Sequence, residues 1–343
     1  MKKIVLNLIL LMIIANISNA QKGVNFVVGG NLRTVFDLAK MQNKAVFLEA
    51  YAPTCHVCIA FKPTFELPLV GDFYNRNYIS YKLDVTTTEA QAFLQKQKIW
   101  IPSTPTLLFF DKEVKLLHIA VMGENTNTAQ VVIDAAGKAL DPKRRSTAYK
   151  ASFQSGVRDP NFLIDYAFMA RIMKDTTDNI AAMKAYASKT PSSQYTNNSN
   201  FLVLQKVIMD DENPIFTYMM THLAEYNAKY DKALVKQTAE NIIMYSLYSS
   251  RGSRSSVAKI NQVKANLTKL GIDKKSIAGR VFREETTALF REGKPDQAIK
   301  VLESLIDSRT DKNAYLFLSN FVRARTADKN ALAKAATWAA KAK

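Results

Sequence analysis

Residues 49–65, Glu49-Ala-Tyr-Ala-Pro-Thr-Cys55-His-Val-Cys58-Ile-Ala-Phe-Lys-Pro63-Thr-Phe65, contain both cysteines of a 343-residue chain. The preceding stretch, residues 44–51, is alternating and rich in β-favouring side chains, as a buried strand should be. After the cysteines, Ile59, Ala60, Pro63 and Phe65 continue as a helix. The pair thus falls where a strand hands over to a helix. At a helix N-terminus the unpaired backbone N–H groups and the macrodipole favour an anion, which makes Cys55 the better thiolate. A thiolate is the species that attacks disulfides. Cys58, one turn further on, is placed to attack the resulting mixed disulfide and release the substrate.

Two other uses of a close cysteine pair fit less well. Structural zinc needs four ligands, and the chain offers no second pair, while His118 and His222 stand alone in the sequence. These two histidines are expected to be surface or partly packed residues. A structural disulfide across so short a loop removes little entropy from the unfolded chain.

The N-terminus sets the compartment. Lys2 and Lys3 precede an apolar run over residues 4–14, and Ser18-Asn19-Ala20 supplies small residues where a signal peptidase reads. The run is well short of the roughly 20 apolar residues that span a bilayer. Residues 1–20 are therefore expected to be a signal peptide cut after Ala20, with no membrane span left after its removal. No cysteine lies near the cleavage point, which disfavours a lipid anchor. The expected location is periplasmic or secreted, where disulfides persist.

The segment Glu49-Ala-Tyr-Ala-Pro-Thr-Cys-His-Val-Cys58 resembles the active-site segment of the thioredoxin superfamily, nearest in wording to protein disulfide isomerase domains. Pro63 matches that family's helix-kinking proline. Tyr81-Lys-Leu-Asp-Val-Thr86 resembles the strand carrying its active-site lysine, and Ser103-Thr-Pro-Thr-Leu-Leu-Phe-Phe110 its cis-proline segment, followed by a strand over residues 115–121 and Gly123. The resemblance covers about 120 residues and implies an α/β thioredoxin fold, a central mixed β-sheet flanked by helices. It also implies roles. Glu49 would be the buried carboxylate that takes and returns the proton of Cys58, since burial raises a carboxylate's pKa towards neutrality. Lys82 would pair with it. Pro105 would be cis and bring the Thr104 backbone beside the thiols, where it pairs with an extended substrate.

The chain also departs from the family pattern. Thr54 stands where a tryptophan commonly precedes the first cysteine, and His56-Val57 lies between the cysteines, with the histidine first. His56 is grouped with Thr104 and Pro105 as a residue facing the substrate. As an imidazolium it would favour the Cys55 thiolate; as a solvated side chain it would do little. Redox direction stays open among reductase, isomerase and oxidase.

A final helix of the first domain is expected over residues 128–140, then a polar linker over 141–158 starting Asp141-Pro-Lys-Arg-Arg. Asp159-Pro160 opens an all-α helical domain over residues 159–343, where Phe162, Tyr166, Met169 and Met173 recur at helical spacing. Residues 291–305 resemble the turn and second helix of a tetratricopeptide repeat, with Ala298, Val301, Leu302 and Leu305 on one face. No sustained 34-residue period follows, so an irregular bundle or a few degenerate helical hairpins is expected. Residues 21–140 are thus expected to form the thioredoxin-like domain, and the chain resembles secreted bacterial proteins that join this fold to a helical extension.

Charge differs between the halves. Of 47 Lys+Arg and 30 Asp+Glu, 33 and 20 lie from Asp141 onward, a net +13, whereas residues 21–140 carry +2. No nucleic-acid motif accompanies that excess, so it reads as a solvated helical face, with attraction to acidic partners or anionic envelope surfaces as the alternative. The expected function is thiol–disulfide exchange with exported cysteine-containing proteins, with an envelope redox partner and no cofactor beyond the Cys55–Cys58 pair. The rival is a non-catalytic binding module whose helical half recruits envelope partners.

Overall fold

The computed structural model describes residues 23–307 and 310–342, so the expected signal peptide over residues 1–20 lies outside the described residues. The chain divides into two compact units, the first ending at Asp175 and the second beginning at Thr176.

The first unit is built on a mixed four-stranded sheet of order β2-β1-β3-β4, with β1 Ala45–Tyr51, β2 Tyr78–Asp84, β3 Thr106–Phe110 and β4 Leu116–Val121. β1 runs parallel to β2 and antiparallel to β3, and β3 is antiparallel to β4. β1 is buried along nearly its whole length because helices cover both faces of the sheet. Val46, Leu48 and Ala50 face one layer, with α1 (Leu32–Gln42) and α4 (Thr88–Lys96). Phe47 faces the other, with α2 (His56–Phe65), α3 (Pro68–Asn77) and α5 (Ala129–Leu140).

Local chemistry fixes the ends of these helices. Asn31 caps α1 by accepting the Thr34 N–H, and the chain leaves it through Asn43 in a left-handed conformation, which asparagine tolerates. Buried Leu32, Val35, Phe36 and Ala39 follow the i, i+3, i+4, i+7 pattern of one apolar face. Gly71 in α3 is required by close approach, since a Cβ there would run into the Gly23 backbone.

The expected linker is not one. Residues 141–158 are tied to the sheet: the Ser146 N–H donates to His118 Nδ1 at 2.9 Å, the Ile119 N–H donates to Ser146 Oγ at 3.1 Å, and Thr147 Oγ1 donates to the Leu117 carbonyl at 3.0 Å. α6 (Tyr149–Gln154) and α7 (Pro160–Ile172) follow. Asp159 caps α7 as expected, accepting the Asn161 and Phe162 N–H groups, with Pro160 in the first turn. Yet α7 opens no separate domain. Met169 and Ile172 join the apolar layer of Leu48, Leu108 and Ile119, and the Ile172 carbonyl accepts the Trp100 N–H at 2.8 Å. The unit boundary therefore falls at Asp175, not at residues 140–158, because that layer needs α7 to close it.

The second unit is helical: α8 Thr176–Lys189, α9 Asn198–Lys206, α10 Pro214–Thr221, α11 Leu223–Lys229, α12 Lys232–Leu247, α13 Val257–Lys269, α14 Lys274–Arg291, α15 Pro295–Glu303, α16 Lys312–Arg323 and α17 Lys329–Lys341. Ala298 and Leu302 of α15 are fully buried, and Leu302 packs with Phe321, Val322 and Trp338 of the last two helices. Buried carboxylates brace the α9–α10 connection: Asp210 pairs with Arg251 and Asp211 with Lys259, both at 2.9 Å. No helix among the described residues is long and apolar enough to cross a membrane.

Candidate functional site

The cysteines occupy the junction the sequence indicates. Cys55 is the N-cap of α2 in an extended conformation, and its Sγ accepts the Cys58 N–H at 3.1 Å. The two sulfurs lie at disulfide-bonding distance, with Cα atoms 5.3 Å apart. Cys58 is 7% exposed, whereas Cys55 is only half-buried, so the N-cap sulfur is the one a partner meets first. A hydrogen bond from a helix-terminal N–H to Sγ favours the anionic form of a reduced thiol at that position.

β3 brings the second part of the site. The Thr104–Pro105 peptide is cis. The Thr104 carbonyl oxygen lies 3.3 Å from Cys55 Sγ. Its loop is anchored on both sides, with Thr106 Oγ1 donating to the Ser103 carbonyl at 2.7 Å and the Met122 N–H donating to the Pro105 carbonyl at 3.0 Å.

Glu49 sits in the middle of β1, opposite Lys82 of β2 and Leu107 of β3, and is 1% exposed. Alternation along the strand puts it on the same face as Phe47, which packs against Phe65 of α2, so its carboxyl lies on the sheet face that α2 covers. Lys82 Nζ is 3.3 Å from Glu49 Oε2 and its side chain is 41% exposed. Nζ also stands 5.0 Å from the Phe26 ring centroid and 5.8 Å from that of Tyr51. Burial pushes the Glu49 pKa above the usual glutamate value, and the Lys82 ammonium offsets part of that rise.

His56, the first residue of α2, is exposed, with Nε2 3.4 Å from an equally exposed Glu124 carboxylate. It does not join the buried part of the site. His118, expected as a surface or partly packed residue, is buried under the Phe109 ring and sits outside the cysteine site. Burial drops its pKa to about 4, assisted by Lys138 and Arg144 and opposed by Asp134. His222, at the end of α10, stacks on Tyr218 with ring centroids 3.8 Å apart.

Two groups at the site escaped the sequence reading. Asn127 Nδ2 donates to the Ala60 carbonyl at 2.7 Å, and its Oδ1 accepts the Thr64 hydroxyl at 2.6 Å. It holds the turn of α2 where Pro63 interrupts the backbone hydrogen-bond ladder. The local signal is that proline, which leaves the Ile59 carbonyl, next to Ala60, without its helical donor. The second is an open groove of about 590 Å³ beside Thr104, walled by Ala52, Leu94, Trp100 and Ile101 and reached by Lys174. Nothing in the sequence joins residue 100 to residue 174. Among the described residues, no group of three or more His, Cys, Asp or Glu side chains is placed to hold a metal ion.

No protein-family model matches this chain. The small mixed sheet with flanking helices and the cysteine pair at disulfide distance are compatible with a thioredoxin-like fold.

Proposed function

We propose that this chain is an exported thiol–disulfide oxidoreductase of the thioredoxin fold, its residues 1–20 serving as a cleaved signal peptide. The observation that carries the reading is the N-cap position of Cys55, where its sulfur accepts the Cys58 N–H and lies 3.3 Å from the Thr104 carbonyl. In the reducing direction the Cys55 thiolate attacks a client disulfide, forming a mixed disulfide and releasing one client thiolate. The Cys58 thiolate then attacks Cys55 Sγ, releasing the second client thiolate and leaving the Cys55–Cys58 disulfide. Two electrons pass from the dithiol to the client, and a thiol donor of the envelope restores the dithiol. The reverse sequence oxidises a client, and the potential of the pair against its surroundings sets the direction.

Glu49 takes up the Cys58 proton as that sulfur becomes the attacking thiolate; a carboxylate with a raised pKa is suited to this exchange near neutrality.

Alkylation of the reduced protein at mildly acidic pH tests the assignment. Cys55 is expected to be labelled and Cys58 spared; equal labelling, or labelling of Cys58 first, removes Cys55 as the nucleophile. Cys58→Ser is expected to accumulate mixed disulfides with exported proteins, and Cys55→Ser none. If both variants return only background, the binding-module reading takes its place.

A further inference from the structure

We propose that the groove beside Thr104 is the client subsite of this exchange reaction, and that it takes the segment flanking the client's cysteine when that segment joins an apolar side chain to an acidic one. The proposal rests on the thiol–disulfide reading and adds a substrate class to it.

Three observations carry it. The groove and the sulfur share a neighbour: Thr104 lines the groove, and the carbonyl of the same residue is 3.3 Å from Cys55 Sγ. A chain whose cysteine reaches Cys55 must run its neighbouring residues past Thr104, and an extended segment can pair with the backbone there. The walls are largely apolar, Ala52, Leu94, Trp100 and Ile101 among them, so an apolar side chain entering from water is stabilised by burial. Among the described residues lining the groove, Lys174 is the only one with a charged side chain, so the complementary group on the client is a carboxylate.

The segment beyond residue 140 builds part of this wall. Lys174 follows α7 in a left-handed turn closed by its N–H bond to the Arg171 carbonyl at 3.0 Å. Two residues earlier the Ile172 carbonyl accepts the Trp100 N–H at 2.8 Å. One hydrogen bond therefore sets Trp100, the largest wall residue, in register with Lys174. Without α7 the groove would lose its cation and the brace on its tryptophan.

The test uses the full chain carrying Cys58→Ser and peptides whose single cysteine is disulfide-linked to thionitrobenzoate. Attack by the Cys55 thiolate on the peptide sulfur breaks that bond and releases thionitrobenzoate as a coloured thiolate, with no net oxidation. One peptide carries Leu and Glu on each side of the cysteine, the other Ser and Lys. The mixed disulfide of mercaptoethanol and thionitrobenzoate, too small to fill the groove, reports intrinsic Cys55 reactivity. The Leu/Glu peptide is expected to react about tenfold faster than the Ser/Lys peptide. Lys174→Glu is expected to remove about fivefold of that advantage and Trp100→Ala a similar share, with the mercaptoethanol rate unchanged in both. Lys174 is exposed, so its variant keeps the test decisive if Trp100→Ala fails to fold. Equal rates for the two peptides, or a Lys174→Glu loss shared by the small reagent, would overturn the subsite. Fluorescence polarisation of dye-labelled peptides with serine in place of cysteine separates the two readings. Selective binding of the Leu/Glu form, weakened by Lys174→Glu, supports the groove even if Cys55 proves inert to the small reagent. Normal Cys55 reactivity with no peptide selectivity sinks the groove and leaves the redox reading standing.

Discussion

Glu49 is a carboxylate in the centre of a sheet with one half-exposed lysine for a partner, and that placement has opposite consequences for stability and for rate. Because burial raises its pKa in the folded state, the folded protein binds this proton more tightly than the unfolded chain does. The resulting stability is fully present below the ordinary glutamate pKa and is lost as pH rises through the raised value. Above that raised value the ionised Glu49 is a net cost, and there Glu49→Gln should raise the melting temperature by roughly 1–4 °C. The gain should vanish below about pH 4, where both side chains are neutral. Turnover should fall roughly ten- to a thousandfold, the range a positioned acid or base contributes. Measuring both on one preparation is decisive: a lower melting temperature with an unchanged rate would make Glu49 a strand-holding residue and end the proton-exchange role.

At the scale of elements, the segment from Asp141 to α7 is held by a buried histidine and two apolar side chains. His118 accepts the Ser146 N–H through Nδ1, which requires that nitrogen to be unprotonated. With its folded pKa near 4, below the usual histidine value of 6.5, its contribution is present above pH 6.5 and is lost as pH falls towards 4. The shift corresponds to about 3 kcal/mol. Chemical denaturation at pH 7 and pH 4.5 should show this acid loss in the parent and a much smaller one in His118→Asn. Matching losses in both would assign the acid sensitivity elsewhere. Ile172 tests the other tie. Ile172→Ala removes an almost fully buried side chain from the layer under β1, and should destabilise the first unit by about 2–4 kcal/mol. Were α7 part of an independent helical domain, the sheet would unfold at the parental denaturant concentration.

For the whole molecule, the position of the boundary decides which fragments fold. A fragment of residues 23–175 keeps both apolar layers closed and should unfold cooperatively. A fragment ending at residue 140 loses Met169, Ile172 and the Ser146 bonds, leaving Leu48, Leu108 and Ile119 less covered. It should be aggregation-prone, with a melting temperature lower by 10 °C or more, on the order of two or three large-to-small core losses. Equal melting of the two fragments would return the boundary to residue 140.

The local features of this protein are legible in its amino-acid order. The junction at Cys55, the β-rich run of residues 44–51, the Asp159-Pro160 helix start and the apolar face of Ala298 and Leu302 each depend on neighbours within a few positions, and local propensity, periodicity and capping report such neighbours directly. The pairing of Glu49 with Lys82 came from the resemblance, and the parallel register of β1 and β2 places the two side by side. The other features depend on pairs far apart in the chain, which meet only on folding. The polar, proline-marked start of residues 141–158 reads as a linker because its partners are Leu117, His118 and Ile119, which composition cannot see. His118 reads as a surface or partly packed residue because its full burial depends on the helices packed above it, not on its own strand. The groove joins Trp100 to Lys174 through one backbone hydrogen bond, and a backbone N–H and carbonyl carry no signature of the residue type that bears them.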